Sequence, residues 1–395
     1  MDALLRLHRQ PERLVVGLMT GTSLDGVDAV AVQLRGSGRA LTLEVRAFVH
    51  VSYPTALRDR LLRNTEPSTS AVDDLTALNV RLCTVYADAV DRALAAAGAE
   101  REALDLVGSH GQTLYHAPEP TSCAGERVRA TLQIGDPSTL AQHLDSIVVG
   151  QFRMADMACG GQGAPLVPYL DHVVFSDPDA TRLLLNLGGI ANVTVLPAGA
   201  PLEALRAFDT GPGNMVIDAL ARDLLGTPYD DNGRHAAKGT PDYDLVADLL
   251  NGAYFQQSPP KSTGRAQFGA AYVKRFRREA HRRNLSPNDT LATATFLTAA
   301  SVYQAYARYL RPEQAVDTVI ASGGGVHNDT LLRMLRDAFA PIPVETTATH
   351  GMDPDAKEAI CFAVLAHEAI NGQPTNVPSV TGATRPARLG TIAVP

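Results

Sequence analysis

Residues 15–32 read VVGLMTGTSLDGVDAVAV, and the fold turns on how this stretch is read. Val15, Val16 and Leu18 run as a strand into Thr20-Gly21-Thr22-Ser23. Val27, Ala29, Val30 and Val32 form the returning strand, with Asp25 and Asp28 near the turn. Gly21 and Gly26 allow the backbone to approach a ligand that a Cβ would hold off. Between them lie two hydroxyls and a carboxylate, the donors and hard anionic group that a phosphate and its Mg²⁺ require. The alternative is a Thr/Ser/Gly-rich hairpin that simply turns.

Downstream, 41–53 (LTLEVRAFVHVSY) alternates apolar and polar residues and continues the sheet as a third strand. A helix start at Ser70–Asp73 is followed by Leu75, Leu78, Leu82, Val85 and Ala89 at spacings of three and four, and Gly98 closes the helix. Short strands follow at 105–108, from Thr131 and at 146–150. The pattern then recurs: 182–196 (RLLLNLGGIANVTVL) is a second strand, Gly-Gly turn and strand. A helix at 289–310, a strand at 316–321, the turn Ser322–Gly325, a helix from Thr330 and a terminal helix at 355–371 come after it. Two hairpin-plus-α/β units, each led by a glycine turn, point to a duplicated fold with a cleft between its halves.

Composition narrows the class. The chain has 395 residues, 45% hydrophobic and 19% charged, which predicts a folded protein of two domains. A net charge of −7 without a basic run argues against nucleic acid as a partner. The four cysteines, Cys83, Cys123, Cys159 and Cys361, are scattered and form no C-x-x-C, so neither a zinc site nor a disulfide framework is indicated. The opening residues are too charged for a signal peptide, and no run approaches the ~20 apolar residues of a membrane span. A reduced, cytoplasmic protein with no membrane partner is expected.

No Walker A motif is present: Pro260–Gly264 holds K-S-T but lacks the upstream glycines, and a Rossmann fingerprint is also absent. Five further stretches set Gly or Pro beside polar groups: Ser109–Thr113, Gln133–Pro137, Gly160–Pro165, Phe208–Asn214 and Pro259–Gly264. Singly each reads as a turn. As a set they suggest a polar pocket of sugar size.

These stretches carry a resemblance. MTGTSLDGVD (19–28), GSHGQT (108–113), QIGDP (133–137), FRMADMACGGQGAPLVP (152–168), NLGGIAN (186–192), FDTGPGN (208–214), PPKSTGR (259–265), SGGGVHN (322–328), DAKEAICFAVLA (355–366) and VTGAT (380–384) resemble the anhydro-N-acetylmuramic acid kinases. That family belongs to the sugar kinase–Hsp70–actin superfamily, and the resemblance covers nearly the whole chain. It implies an α/β, duplicated actin-like/ribonuclease H-like two-domain fold with an interdomain active-site cleft. Residues 1–150, together with the tail 376–395, would form the N-terminal domain and 151–375 the C-terminal one. The implied reaction opens the 1,6-anhydro bond of 1,6-anhydro-N-acetylmuramic acid with water and phosphorylates O6 from ATP, a step of cell-wall recycling.

Glycoside cleavage ordinarily uses one carboxyl to activate water and another to protonate the leaving oxygen. If the γ-phosphoryl captures O6, one base suffices. The resemblance implies that Asp156 is this base, where the residues alone read as a loop or capping aspartate. It implies that Gly21, Thr22, Ser23, Leu24, Asp25, Gly26, Val27 and Asp28 wrap the ATP phosphates, with Asp25 helping to hold Mg²⁺ through water. Asn186, Gly188 and Gly189 would form the second phosphate turn, and Gly323, Gly324, Gly325 and Asn328 would lie against adenosine. His110, Gln133, Asp136, Arg153, Gln162 and Glu358 would contact the sugar or its lactyl carboxylate, and a homodimer is implied. Arg153 offers a fork suited to a carboxylate, or else a surface ion pair; His110 could instead be a core histidine, and Glu358 a first-turn acid. The chain departs from the family pattern at Thr20 for Ser, Gln151 and Ala266 for acids, and Asp171 for His. The rivals are an ordinary sugar kinase of the same fold, an actin-like chaperone or filament protein, and a glycoside hydrolase without ATP.

Overall fold

The computed structural model describes residues 2–395; Met1, the first residue of the expected N-terminal domain, and the side chains of Asp2 and Ala266 lie outside the described residues. Two compact units are present, one made of 2–173 with Ala356–Pro395, the other of Val174–Asp355.

The first unit carries strands β1 (Glu12–Met19), β2 (Gly26–Arg35), β3 (Thr42–Ser52), β4 (Leu106–Ser109), β5 (Gln112–Cys123), β6 (Glu126–Ile134) and β7 (Val148–Gly150). The second carries β8 (Arg182–Leu187), β9 (Ile190–Leu196), β10 (Arg206–Pro212), β11 (Thr318–Ser322) and β12 (Val344–Thr346), and β13 (Thr391–Ala393) returns to the first. The first sheet runs β3-β2-β1-β4-β7-β13 and the second β10-β9-β8-β11-β12. In each, three antiparallel strands are continued by parallel ones: β1 pairs antiparallel with β2 and parallel with β4, and β8 pairs antiparallel with β9 and parallel with β11. The duplication read from the two glycine-led hairpins is therefore a duplication of sheet topology.

Val15, Val16 and Val30–Val32 are wholly buried, because the first sheet is covered on both faces. Helix Val72–Ala96 presents Leu78, Leu82, Tyr86, Ala89 and Ala93 to one face. Each such leucine, fully buried, contributes about 1.5–3 kcal/mol. Helix Lys357–Ile370 takes the other face and buries every residue except Glu358. It lies so close that a Cβ on Gly17 of β1 would stand 2.0 Å from the Ala359 carbonyl oxygen. Only glycine admits that approach.

The unit boundaries differ from those expected. Residues 151–173 and 356–375 belong to the first unit, the former because their functional turn is tied to the tail and the latter because helix Lys357–Ile370 packs on β1. The sequence also concealed the long ribbon β5–β6, whose prolines and polar residues blur its alternation. Among the described residues, no helix is long and apolar enough to cross a membrane.

Candidate active site

The turn that bears Asp156 follows β7. A five-residue helix, Met154–Ala158, puts Asp156 inward with no exposed surface. Its carboxylate is held by three donors: Oδ1 accepts from Asn376 Nδ2 at 2.8 Å and Thr381 Oγ1 at 2.7 Å, and Oδ2 from the Gly163 N–H at 2.8 Å. Neither Asn376 nor Thr381 was legible as a site residue, although Thr381 lies in the VTGAT stretch. The Gly163 peptide joins the Asp156 carboxylate to Arg153, for its N–H donates to Oδ2 and its carbonyl accepts from Arg153 Nη1 at 2.7 Å.

Gly161 is what allows the carboxylate its place. A Cβ there would stand 2.2 Å from Asp156 Oδ2 and 2.7 Å from its Cγ. Gly161→Ala therefore rotates or displaces the carboxylate. Because a 1 Å misplacement can cost about 10²-fold in rate, we expect kcat to fall by about that factor with the thermal transition shifted much less. A variant with undiminished kcat would show that this contact does not position the base.

Arg153 is partly accessible and its head is occupied: besides Gly163 it meets His110 Nε2, through Nη2 at 2.8 Å and Nε at 3.2 Å. Desolvation pushes the guanidinium down to about 10, with Glu358 opposing. His110 is 3% exposed and tilted against Phe362 at 4.6 Å; burial, then Arg153, holds it well below the usual histidine range. It is thus a neutral acceptor behind Arg153. Glu358 is partly accessible; desolvation raises its carboxyl, with Lys357 and Arg153 opposing.

On the ribbon, Gln133 is buried and its Nε2 donates to Thr131 Oγ1 at 2.7 Å and Thr113 Oγ1 at 3.1 Å. His116 beside Thr131 is pushed down to about 4, chiefly by burial and then by Arg153, and was not singled out from the sequence. Gln162 reaches Glu119 at 3.3 Å. Asp136 stands apart: its Oδ1 caps helix Pro137–Leu144 through the Thr139 N–H at 2.7 Å and is not gathered with this cluster. Gln151, where an acid is usual, donates to the Gln133 carbonyl at 3.2 Å, which a carboxylate could not do. Asp171 forms a buried ion pair with Lys357 at 2.7 Å.

The opening turn has its carbonyls tied inward. Gln112 Nε2 donates to Gly21 O at 3.0 Å, Arg58 Nε to Leu24 O at 3.1 Å and the Tyr53 N–H to Asp25 O at 2.9 Å. Thr22, Ser23 and Asp25 are left at the surface, Ser23 Oγ donating to Asp25 Oδ1 at 2.8 Å. The turn thus directs three carbonyl oxygens inward and keeps Thr22, Ser23 and Asp25 exposed. Gly26 and Val27 begin the buried β2, and Asp28 meets His50 Nδ1 at 2.7 Å.

In the second unit, Gly188 and Gly189 head the β8–β9 hairpin, and their carbonyls accept the leading N–H groups of helix Asn214–Leu225. Asn186 lies against Gly323, and Gly325 packs on Leu187 with the Asn214 amide nearby; Gly324 faces the same amide. These predicted residues are brought together. Asn328 is 8% exposed and caps helix Asp329–Phe339 through the Leu331 N–H at 2.9 Å. The PPKSTGR loop is tied to FDTGPGN: the Thr263 N–H donates to Asp209 Oδ2 at 2.7 Å, and Lys261 stands over the Tyr254 and Tyr309 rings.

A meander continued by parallel strands, occurring twice and headed each time by a glycine turn, defines a duplicated α/β protein of actin-like, two-unit architecture. The family model for anhydro-N-acetylmuramic acid kinase matches residues 13–395, and the chain belongs to that family. A protein of that name from Salinibacter ruber is 65% identical over the full length of both chains. One from Caldanaerobacter subterraneus is 41% identical, again over the whole of both. One from Bacillus cereus is 40% identical over 96% of this chain and 99% of its own.

Proposed function

We infer that the protein is an ATP-dependent kinase that opens the 1,6-anhydro ring of 1,6-anhydro-N-acetylmuramic acid and phosphorylates O6, giving N-acetylmuramic acid 6-phosphate and ADP in cell-wall recycling. The observation that carries the mechanism is the buried Asp156 carboxylate, held by three donors and linked through one peptide to Arg153. Asp156 takes a proton from water, whose oxygen bonds to C1. The C1–O6 bond breaks toward O6, which takes the γ-phosphoryl, and ADP leaves. Phosphoryl capture replaces the acid that a glycosidase needs.

Arg153, presented through its contacts with Gly163 and His110, is the group of this cluster suited to the lactyl carboxylate. Gln133, Gln162 and Glu358 are the sugar contacts of this reading, with His110 acting from behind Arg153. The nucleotide phosphates meet Gly21–Asp28 and the Asn186–Gly189 turn, and adenosine meets Gly323–Gly325 and Asn328. Mg²⁺ keeps several waters and takes one or two carboxylates with the phosphates. Asp25 and the neighbouring hydroxyls fit that donor set and would hold the ion through water. When bound, the ion neutralises charge on the transferring phosphoryl. A homodimer in the cytoplasm completes the reading, and sedimentation at micromolar concentration tests the oligomeric state.

Product analysis in ¹⁸O-water with Mg²⁺-ATP tests the reaction. A 6-phosphate carrying ¹⁸O at C1 is expected. ATP use without that label, with free N-acetylmuramic acid phosphorylated as well, would make the protein an ordinary sugar kinase.

A further inference from the structure

Asp156 and its Oδ1 partners are 220 and 225 residues apart in sequence, and the segment that supplies those partners is stitched to the base-bearing turn along its length. The Gln162 N–H donates to Thr381 O at 2.9 Å. Thr384 gives both its N–H, at 2.8 Å, and its hydroxyl, at 2.9 Å, to the Cys159 carbonyl. Asn376 is itself fixed: Nδ2 also donates to Arg385 O at 3.2 Å, and Oδ1 accepts the Ala387 N–H at 2.6 Å. Asn376 and Thr381 are 2% and 1% exposed. A surface strap has no need of two buried donors on one carboxylate oxygen.

A carboxylate oxygen accepts about two hydrogen bonds. Oδ1 receives two, from Asn376 and Thr381, whereas Oδ2 receives one, from Gly163. We propose that Asn376 and Thr381 are positioning residues for ring opening: they commit Oδ1 and leave Oδ2 as the oxygen that takes the proton of water. This rests on Asp156 being the base. Two donors on Oδ1 also stop the carboxylate from turning about its Cβ–Cγ bond, so one lone pair of Oδ2 keeps a fixed direction. The C-terminal segment 376–387 thereby belongs to the catalytic apparatus.

The test compares Thr381→Val, Thr381→Ser and Asp156→Asn in full-length protein, reading kcat, KM for the anhydro sugar and the thermal transition. Valine keeps the shape and removes the donor. The proposal expects kcat of Thr381→Val to fall about 10–100-fold, within the range of general-base catalysis, with KM within about twofold. Serine restores the wild-type values. Should the valine variant not fold, Thr381→Ala is read against Thr381→Ser in the same way. An unchanged kcat, a serine variant as impaired as the valine one, or an effect on KM alone would overturn the positioning role. An Asp156→Asn enzyme with wild-type turnover would instead remove the base assignment itself, which separates the two failures.

Discussion

Asp156→Asn is expected to lower kcat by about a thousandfold while ADP, ATP and sugar still bind, the loss lying in the range of positioned general bases, about 10²–10⁴. The amide has the shape of the carboxylate and cannot take the proton. Its hydrogen bonding also conflicts with the site. All three neighbours of the carboxylate are donors: Asn376 Nδ2, Thr381 Oγ1 and the Gly163 N–H. An amide can offer only one acceptor oxygen, so its NH₂ must face one side of that set. Turned toward Gly163, it puts donor against donor and costs about 1–3 kcal/mol of stability. Single-turnover phosphoryl transfer and a melting curve separate the two effects. A variant within tenfold of wild type would show that Asp156 is not the base.

The second large effect is on stability. Asp171 and Lys357 pair at 2.7 Å with side chains only 4% exposed. Burial raises the Asp171 carboxyl above its ordinary range, and Lys357 works against that shift. Lys357→Met leaves the carboxylate buried without its counter-ion, for which about 3–5 kcal/mol is expected. The sign of the pH dependence follows. A carboxyl raised on folding binds more protons in the folded state, so its ionisation erodes stability as pH rises through the folded value. Without Lys357 that value rises further. The deficit relative to wild type is therefore largest at neutral and higher pH and shrinks as pH falls toward the ordinary aspartate range. Urea unfolding at pH 5 and pH 8 reads it. A deficit below 1 kcal/mol at pH 8, or one that grows on acidification, would refute this account, and Lys357→Met with Asp171→Leu should recover most of the loss.

Much of this was legible because it is local. The strands Glu12–Met19 and Gly26–Arg35 are apolar runs about a glycine turn, and helix Val72–Ala96 shows its buried face at spacings of three and four. Asp156 was recognisable only through the motif around it, since a lone aspartate before Gly160 has no periodicity to betray its role. Asn376 and Thr381 were beyond reach in a Gly- and Pro-rich tail, because their meaning lies in a carboxylate more than two hundred residues earlier. The same distance hid the unit boundary. A break after Gly150 is a reasonable place to end a sheet, but the turn that follows it is held by the tail. Asp136 misled for the opposite reason: it sits in a conspicuous motif, and its local capping of Pro137–Leu144 is invisible unless the helix start is read from D-P-S-T.

The order in which the chain is made gives the split first unit a temporal consequence. A ribosome delivers Asp156 long before Asn376 and Thr381, with all of Val174–Asp355 translated in between. The continuous second unit can condense while synthesis continues, but the nascent first unit must wait with one face of its sheet lacking helix Lys357–Ile370. Until that helix arrives, Gly17 and its neighbours on β1 are open to wrong partners. A chain stalled before residue 376 would carry the glycine turns of both units and an Asp156 carboxylate without its Oδ1 partners.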